Sequence, residues 1–136
     1  MGTCAKVFAQ VNDNNNLFPQ QNGNRNILNL SGIWEFKIDS NNVGEKEKWN
    51  FGLSQTKPIA VPASWNDQYD ELRDYMGYAW YEKKTYVSKS WKGQKIFIRF
   101  GSANYAAKVW INGNLLGKHE GGHLPFTFEI SDFIRW

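Results

Sequence analysis

Apolar and polar residues alternate over several short stretches of the chain. Large apolar side chains take every second position in Trp34-Glu35-Phe36-Lys37-Ile38, and the same period recurs from residue 126 to residue 130. A period of two is typical of a β-strand with one buried face. Further strands are predicted from apolar runs at 80–87, 96–100 and 108–111 and at Leu115 and Leu116.

Turn-forming residues separate these runs. Asn112-Gly113 is a strong hairpin signal, and Pro58 and Pro62 flank the apolar run 59–61. Because proline has no amide hydrogen, that run is predicted as an edge strand or extended segment. Residues 65–78 mix charged and aromatic side chains without a clear period, which predicts a long, structured loop. Several short strands without a long helical pattern indicate an all-β, antiparallel β-sandwich.

The length of 136 residues is that of one domain or part of one. Residues 1–26 are polar and rich in asparagine, and such a composition cannot bury much apolar surface. We therefore expect residues 1–26 to form an extended or disordered lead. The strand signals are confined to residues 27–136, which are predicted to form the sandwich domain.

The residues His119-Glu120-Gly121-Gly122-His123 spell the zinc-protease motif H-E-x-x-H. In that motif two histidines bind Zn²⁺ from one face of a helix, and the glutamate activates a water. The two interior glycines and Pro125 disfavour a helix, so the segment is predicted as a Gly-Gly loop between two strands. A zinc site needs three or four protein ligands, whereas the chain offers two histidines and Cys4. No metal site is expected.

Four carboxylates lie close together in the sequence beside three aromatic side chains. Glycosidases use two carboxylates about 5–5.5 Å apart when retaining, or about 6.5–9.5 Å apart when inverting. This group could supply such a pair, and the rings could stack on a sugar. The favoured interpretation is a set of solvated loop charges partnered by Arg73. The carboxylates are Asp67, Asp70, Glu71 and Asp74, and the aromatic residues are Trp65, Tyr69 and Tyr75.

Trp34, Trp80 and Trp110 lie within predicted strands. Displayed on an open face, such rings would bind carbohydrate, which keeps a free-standing carbohydrate-binding module as an alternative. Core packing is favoured for Trp34, because a tryptophan can bury on the order of 200 Å². For Trp110 a core position and a surface position fit the sequence about equally well, because its neighbours Val109 and Ile111 point to the opposite face.

Composition adds little that is specific to a function. Sixteen basic and thirteen acidic residues give a scattered net charge of +3, which does not indicate nucleic-acid binding. No apolar run approaches the ~18 residues of a membrane span, and residues 1–11 lack the apolar region of a signal peptide. The expected setting is soluble and cytoplasmic. No nucleophile constellation or phosphate-binding loop can be assembled, so no catalytic residue and no cofactor is predicted.

A series of motifs follows in one order along the chain. They are residues 17–22 with Arg25, Leu30-Ser31-Gly32-Ile33-Trp34-Glu35-Phe36, Val61-Pro62-Ala63-Ser64-Trp65-Asn66-Asp67-Gln68, Arg73-Asp74-Tyr75-Met76-Gly77, Trp80-Tyr81-Glu82, Ile98-Arg99-Phe100-Gly101-Ser102, Lys108-Val109-Trp110-Ile111-Asn112-Gly113, His119-Glu120-Gly121-Gly122, Pro125-Phe126 and Ile130. This series resembles the opening of β-glucuronidases of glycoside hydrolase family 2. The resemblance covers residues 17–134.

The resemblance implies the N-terminal, jelly-roll-like sugar-binding domain of these enzymes, a fold like that of galactose-binding domains. An immunoglobulin-like domain and a TIM barrel follow it in the complete enzymes, which form homo-oligomers and hydrolyse β-D-glucuronides with retention. Their nucleophile and acid/base glutamates lie on the barrel, to which nothing here corresponds. This chain is therefore expected to be inactive alone and to act as a scaffold for the remaining domains.

The chain departs from the family pattern at two places. His123 stands where members usually have tyrosine, so the zinc-like spelling is interpreted as one substitution in a loop. The chain also ends at Trp136, where the family pattern continues into further strands. A sandwich without its last strands exposes an unpaired edge, so we expect a truncated domain that is marginally stable or poorly soluble.

Overall fold

The computed structural model describes residues 19–136. Seven short β-strands form the regular structure of this part of the chain, and it contains no α-helix. The strands are β1 (Gly32–Asp39), β2 (Lys57–Val61), β3 (Tyr78–Glu82), β4 (Phe97–Phe100), β5 (Ala106–Ile111), β6 (Asn114–Glu120) and β7 (Phe126–Glu129). Single turns of 3₁₀ helix lie at Trp49–Phe51, Trp65–Asp67, Asp70–Leu72, Lys89–Trp91 and Ser131–Phe133.

All strand pairs are antiparallel. β1 is the centre of a three-stranded sheet in the order β2-β1-β3, while β4 pairs with β7 and β5 pairs with β6. β2 pairs with β1 and forms an edge of its sheet, which confirms the edge position predicted from Pro58 and Pro62. Proline at such an edge limits pairing with a further strand. The all-β, antiparallel sandwich predicted from the sequence is confirmed.

Two hydrophobic clusters stabilise the fold, and they are formed by successive parts of the chain. The buried residues of the first cluster all come after β3 in the sequence. They are Ile96, Ile98, Phe100, Val109, Ile111 and Ile130. The buried residues of the second cluster come earlier in the sequence than those of the first. They are Trp34, Phe36, Ile59 and Leu72. Leu30 is partly buried and packs against both clusters.

The alternation in β1 is confirmed by the burial of its side chains. Trp34 and Phe36 are only 2% and 1% exposed, whereas Glu35 lies at the surface. The indole nitrogen of Trp34 donates to the carbonyl oxygen of Leu30 at 2.8 Å, so this buried ring keeps a hydrogen-bond partner. Tyr81 of β3 packs on Phe36 edge-to-face, and burial raises the pKa of its phenol to about 12.

Three sequence predictions differ most from the structure in extent. The strand predicted at 80–87 is β3, which ends at Glu82 because its pairing with β1 ends there. The strand predicted around Leu115 extends to Glu120 through its pairing with β5. The predicted loop 65–78 holds two turns of 3₁₀ helix and the first residue of β3.

Of the predicted polar lead, residues 1–18 lie outside the described part of the chain. Within residues 19–26, Asn22 and Arg25 form a small bridge through two reciprocal backbone hydrogen bonds of 3.1 Å. The remainder of this stretch has no regular secondary structure. None of the described helices is both long enough and apolar enough to cross a membrane.

Candidate functional site

The five residues of the zinc-like motif lie at the end of β6 and in the corner that follows. His119 and Glu120 are the last residues of the strand, and Gly121 has a positive φ of 120°. The amide of Gly121 donates to the carbonyl oxygen of Tyr105 at 2.8 Å, which ties the corner to a neighbouring loop. The predicted Gly-Gly corner is confirmed. A strand followed by a turn does not place both histidines on one helical face, as a zinc-protease site requires.

The two histidines of the motif have different surroundings. His119 is half-buried, and its imidazole stacks on Phe126 with ring centroids 4.0 Å apart. Phe126 in turn stacks on Phe100 at 4.7 Å, so His119 continues a row of packed rings. His123 is exposed. Among residues 19–136 no three His, Cys, Asp or Glu side chains lie close enough to hold a metal ion.

The carboxylates at 67–74 are surface charges. Asp70 pairs with Arg73 at 2.9 Å, and these side chains are 95% and 72% exposed. Glu71 pairs with Lys57 of β2. This hydrogen bond raises the pKa of the Lys57 ammonium and lowers the pKa of the Glu71 carboxyl. Two of the four carboxylates thus already hold cationic partners, in line with the favoured interpretation.

The aromatic side chains beside these carboxylates pack inward. Trp65, Tyr69 and Tyr75 pack against the second hydrophobic cluster. Asn66 fixes the loop around them, because its amide nitrogen donates to the backbone carbonyl of Leu72 at 2.6 Å. These rings are therefore used in packing against the core.

Trp80 and Trp110 form the contact between two sheets. Their rings stack with centroids 4.8 Å apart and planes inclined by 24°. Trp49 packs edge-on against Trp80 at 6.1 Å, and the ammonium of Lys37 lies 3.9 Å from the centre of the Trp49 ring. Both tryptophans of the stacked pair are half-buried. A ring covered on one face by another ring offers less surface to a sugar than an open platform does.

Asp39 holds this aromatic group in place, and the sequence patterns did not indicate it. The side chain is buried and accepts hydrogen bonds from the amides of Val43 and Gly44 at 2.7 and 2.8 Å. It accepts a third from the indole nitrogen of Trp80 at 3.0 Å. Burial raises the pKa of the Asp39 carboxyl, but these hydrogen bonds and the charge of Lys37 outweigh it and lower the pKa overall.

A polar groove lies beside a second buried carboxylate, Glu82. Glu82 stands directly opposite Glu35 in the pairing of β1 and β3, an arrangement that is unfavourable for like charges. The amide of Leu53 donates to Glu82 at 2.8 Å, and the ammonium of Lys84 lies 3.3 Å from its other oxygen. Thr56 donates to Glu35. These partners offset the repulsion, so the groove, of about 390 Å³, is lined by groups that already have internal partners.

Comparison with known proteins assigns the domain. The sequence profile described as "Glycosyl hydrolases family 2, sugar binding domain" matches residues 27–136. The chain belongs to glycoside hydrolase family 2. The resemblance expected from the sequence motifs is confirmed, and the match is to the N-terminal domain of the family's β-glucuronidases.

Relatives of this family 2 domain come from bacteria and mammals. The chain is 46% identical over 118 residues to the β-glucuronidase of Paenibacillus borealis, covering 85% of this chain and 20% of that protein. It is 37% identical over 131 residues to the Mus musculus β-glucuronidase, covering 88% and 20%. The crystal structure of Ruminococcus gnavus β-glucuronidase superimposes with a TM-score of 0.84 at 37% identity, covering 88% and 21%. The chain spans about a fifth of the length of these relatives.

Proposed function

We propose that this chain is the N-terminal domain of a β-glucuronidase whose complete form hydrolyses β-D-glucuronides. The named relatives are β-glucuronidases in bacteria and in mammals alike. The similar Ruminococcus gnavus enzyme has been crystallised with D-glucuronic acid. Because family 2 also holds enzymes for other sugars, the consistent naming of the relatives favours glucuronides over galactosides or mannosides.

Within that enzyme the domain serves as a scaffold and supplies no catalytic residue. The observation that carries this proposal is how the candidate side chains are used. The aromatic rings pack against each other, and two of the surface carboxylates pair with cations. Trp80 and Trp110 cover each other, and Asp70 and Glu71 are paired with cations. Retaining hydrolysis needs a carboxylic acid and a carboxylate held about 5–5.5 Å apart on either side of the bond that breaks. In the complete enzyme, we assign this pair of carboxyl groups to the remaining domains.

The partners of the domain are then the other domains of its own enzyme. Homo-oligomeric assembly of the complete enzyme and a cytoplasmic location belong to the same proposal. So does the division into a polar lead, residues 1–26, and a β-sandwich domain, residues 27–136. Size-exclusion chromatography with light scattering on a longer version of the protein tests the oligomeric part.

The experiment that tests the scaffold role uses the 136-residue protein with a chromogenic β-D-glucuronide. We expect no turnover above the uncatalysed rate. Calorimetric titration with glucuronic acid and with common oligosaccharides accompanies it, and we expect no heat at millimolar sugar. Turnover by this chain would overturn the scaffold role, whereas binding without turnover would favour the free-standing carbohydrate-binding module.

The identity of the complete enzyme is tested separately. Its coding sequence should continue past Trp136 into a barrel with an Asn-Glu pair. Joining that continuation to this chain should yield activity on β-glucuronides. Preference for a β-galactoside or a β-mannoside would contradict the glucuronidase proposal.

A further inference from the structure

The segment that precedes β1 carries Asn29-Leu30-Ser31, the only Asn-x-Ser/Thr sequence in the chain. This triplet is the acceptor sequence for N-linked glycosylation when the middle residue is not proline. Residues 26–31 have no regular secondary structure, and the side chain of Asn29 is exposed. The acceptor thus lies on an irregular surface segment of the folded domain.

Packing of the middle residue turns the asparagine outward. Leu30 is partly buried against both hydrophobic clusters, and its carbonyl oxygen accepts the hydrogen bond of Trp34. The position of Leu30 is therefore fixed by the core. Its neighbour Asn29 lies at the surface of the folded protein. A modifying enzyme can therefore reach Asn29 without local unfolding of the domain.

The side-chain amide of Asn29 is held in one orientation. Its Oδ1 accepts a hydrogen bond from the backbone amide of Ser31 at 2.9 Å. Within residues 19–136, Nδ2 of Asn29 makes no hydrogen bond. The oxygen is thus used by the turn, and the nitrogen, which is the atom that a sugar is transferred to, remains available.

We propose that Asn29 is an N-glycosylation acceptor in the folded domain. The donor is an oligosaccharide carried on a polyprenyl diphosphate. The bond that forms joins Nδ2 of Asn29 to C1 of the first sugar, and the bond that breaks joins that C1 to the diphosphate oxygen. The amide loses one proton, and the polyprenyl diphosphate leaves with the bonding electron pair.

The modification is compatible with the turn. Glycosylation replaces one hydrogen of Nδ2 and leaves Oδ1 unchanged, so the hydrogen bond from Ser31 persists. The site is a property of the folded surface and does not depend on the proposed glucuronidase activity. Modification in an organism requires that the chain enters the compartment of the transferase, so in a protein that stays in the cytoplasm this acceptor remains unmodified.

The test treats the purified, folded 136-residue protein with an oligosaccharyltransferase and a polyprenyl-diphosphate oligosaccharide. A short peptide that contains Asn-Leu-Ser is the positive control for the reaction. We expect a mass increase of one oligosaccharide, which peptide N-glycosidase removes. A parallel sample of chain unfolded in urea and then diluted separates acceptance by the folded surface from acceptance by an open chain.

Three variants distinguish the acceptor from its surroundings. Asn29→Asp keeps an oxygen for the turn and removes Nδ2, so we expect no modification. Ser31→Ala keeps the backbone amide that donates to Asn29 but removes the hydroxyl that the acceptor sequence requires, so modification is again lost. Ser31→Thr restores the hydroxyl and the modification. The proposal is overturned if the folded protein stays unmodified while the peptide reacts, if only the unfolded chain reacts, or if Asn29→Asp is still modified.

Discussion

The indoles of Trp80 and Trp110 stack at 4.8 Å although one belongs to β3 and the other to β5. The pair joins the three-stranded sheet to the β5–β6 hairpin, and these two units share no strand. A direct aromatic contact therefore replaces backbone hydrogen bonds between them. These two tryptophans are therefore part of how the domain holds together.

Removing this contact should reveal a coupling between the two rings. We expect a double-mutant cycle of Trp80→Leu and Trp110→Leu to give a coupling free energy of about 0.5–1.5 kcal/mol, the range of aromatic pairs. Urea unfolding of the four proteins, followed by circular dichroism, measures it. Additive losses in the free energy of unfolding would show that the stacking contributes no specific stability.

Asp39 should stabilise the fold in a pH-dependent manner. Three N–H donors converge on its carboxylate, whereas the amide side chain of the variant Asp39→Asn would offer them one acceptor oxygen and an NH₂ group. We expect this change to lower the free energy of unfolding by about 1–3 kcal/mol at pH 7. Because the folded-state pKa lies below the ordinary value of 3.8, the contribution is present above about pH 4 and is lost as the pH falls through the folded-state pKa.

Urea titrations between pH 3 and pH 7 check this dependence. The difference between wild type and Asp39→Asn should shrink at the acidic end. Asp70→Asn is the matched control, since Asp70 forms an exposed pair with Arg73 and such pairs contribute about 0–1 kcal/mol. An equal loss of stability in the two variants at pH 7 would contradict a special role for Asp39.

Gly44 should tolerate no side chain. A Cβ at this position would lie 2.3 Å from the indole nitrogen of Trp80 and 2.8 Å from a carboxylate oxygen of Asp39. We expect Gly44→Ala to cost about 1–3 kcal/mol, as overpacking does elsewhere. Gly23→Ala, where nothing lies within 4 Å of the added carbon, should change stability by less than about 0.5 kcal/mol. Thermal unfolding of both variants makes the comparison, and equal melting temperatures would refute it.

His123 should be replaceable without consequence for metal content. The residue is exposed, and we expect His123→Tyr to keep stability within about 0.5 kcal/mol of wild type. Elemental analysis after purification without chelators should find no stoichiometric zinc in either protein. Near-stoichiometric zinc in the wild type, lost in the variant, would restore the zinc-site hypothesis.

The sequence predicted the parts of the fold that depend on neighbouring residues. The period of two located β1, and Asn112-Gly113 located the β5–β6 hairpin. Pro58 within β2 and Pro62 directly after it indicated its edge position correctly. β6 was harder to delimit, because Gly117-Lys118-His119-Glu120 shows no apolar alternation. Its pairing with β5, rather than its own pattern, keeps these residues extended.

The buried polar groups could not have been found in the same way. Asp39 and Trp80 are 41 positions apart, and no local pattern indicates that they form a hydrogen bond. Glu82 lies opposite Glu35 only because of the register of two strands, which sequence spacing does not fix. The family motifs assigned the domain, while the aromatic contacts and carboxylate partners became visible only in three dimensions.

The position of Leu30 has a consequence for how the chain folds as it is made. Apart from Leu30, the second hydrophobic cluster uses residues up to Tyr81, and the first uses residues from Val87 onward. During synthesis the residues of the second cluster leave the ribosome before those of the first cluster. Leu30 contacts the first cluster and Trp80 contacts Trp110 only after those later residues have been made. The earlier part of the domain therefore completes these two contacts only after the later part has been synthesised.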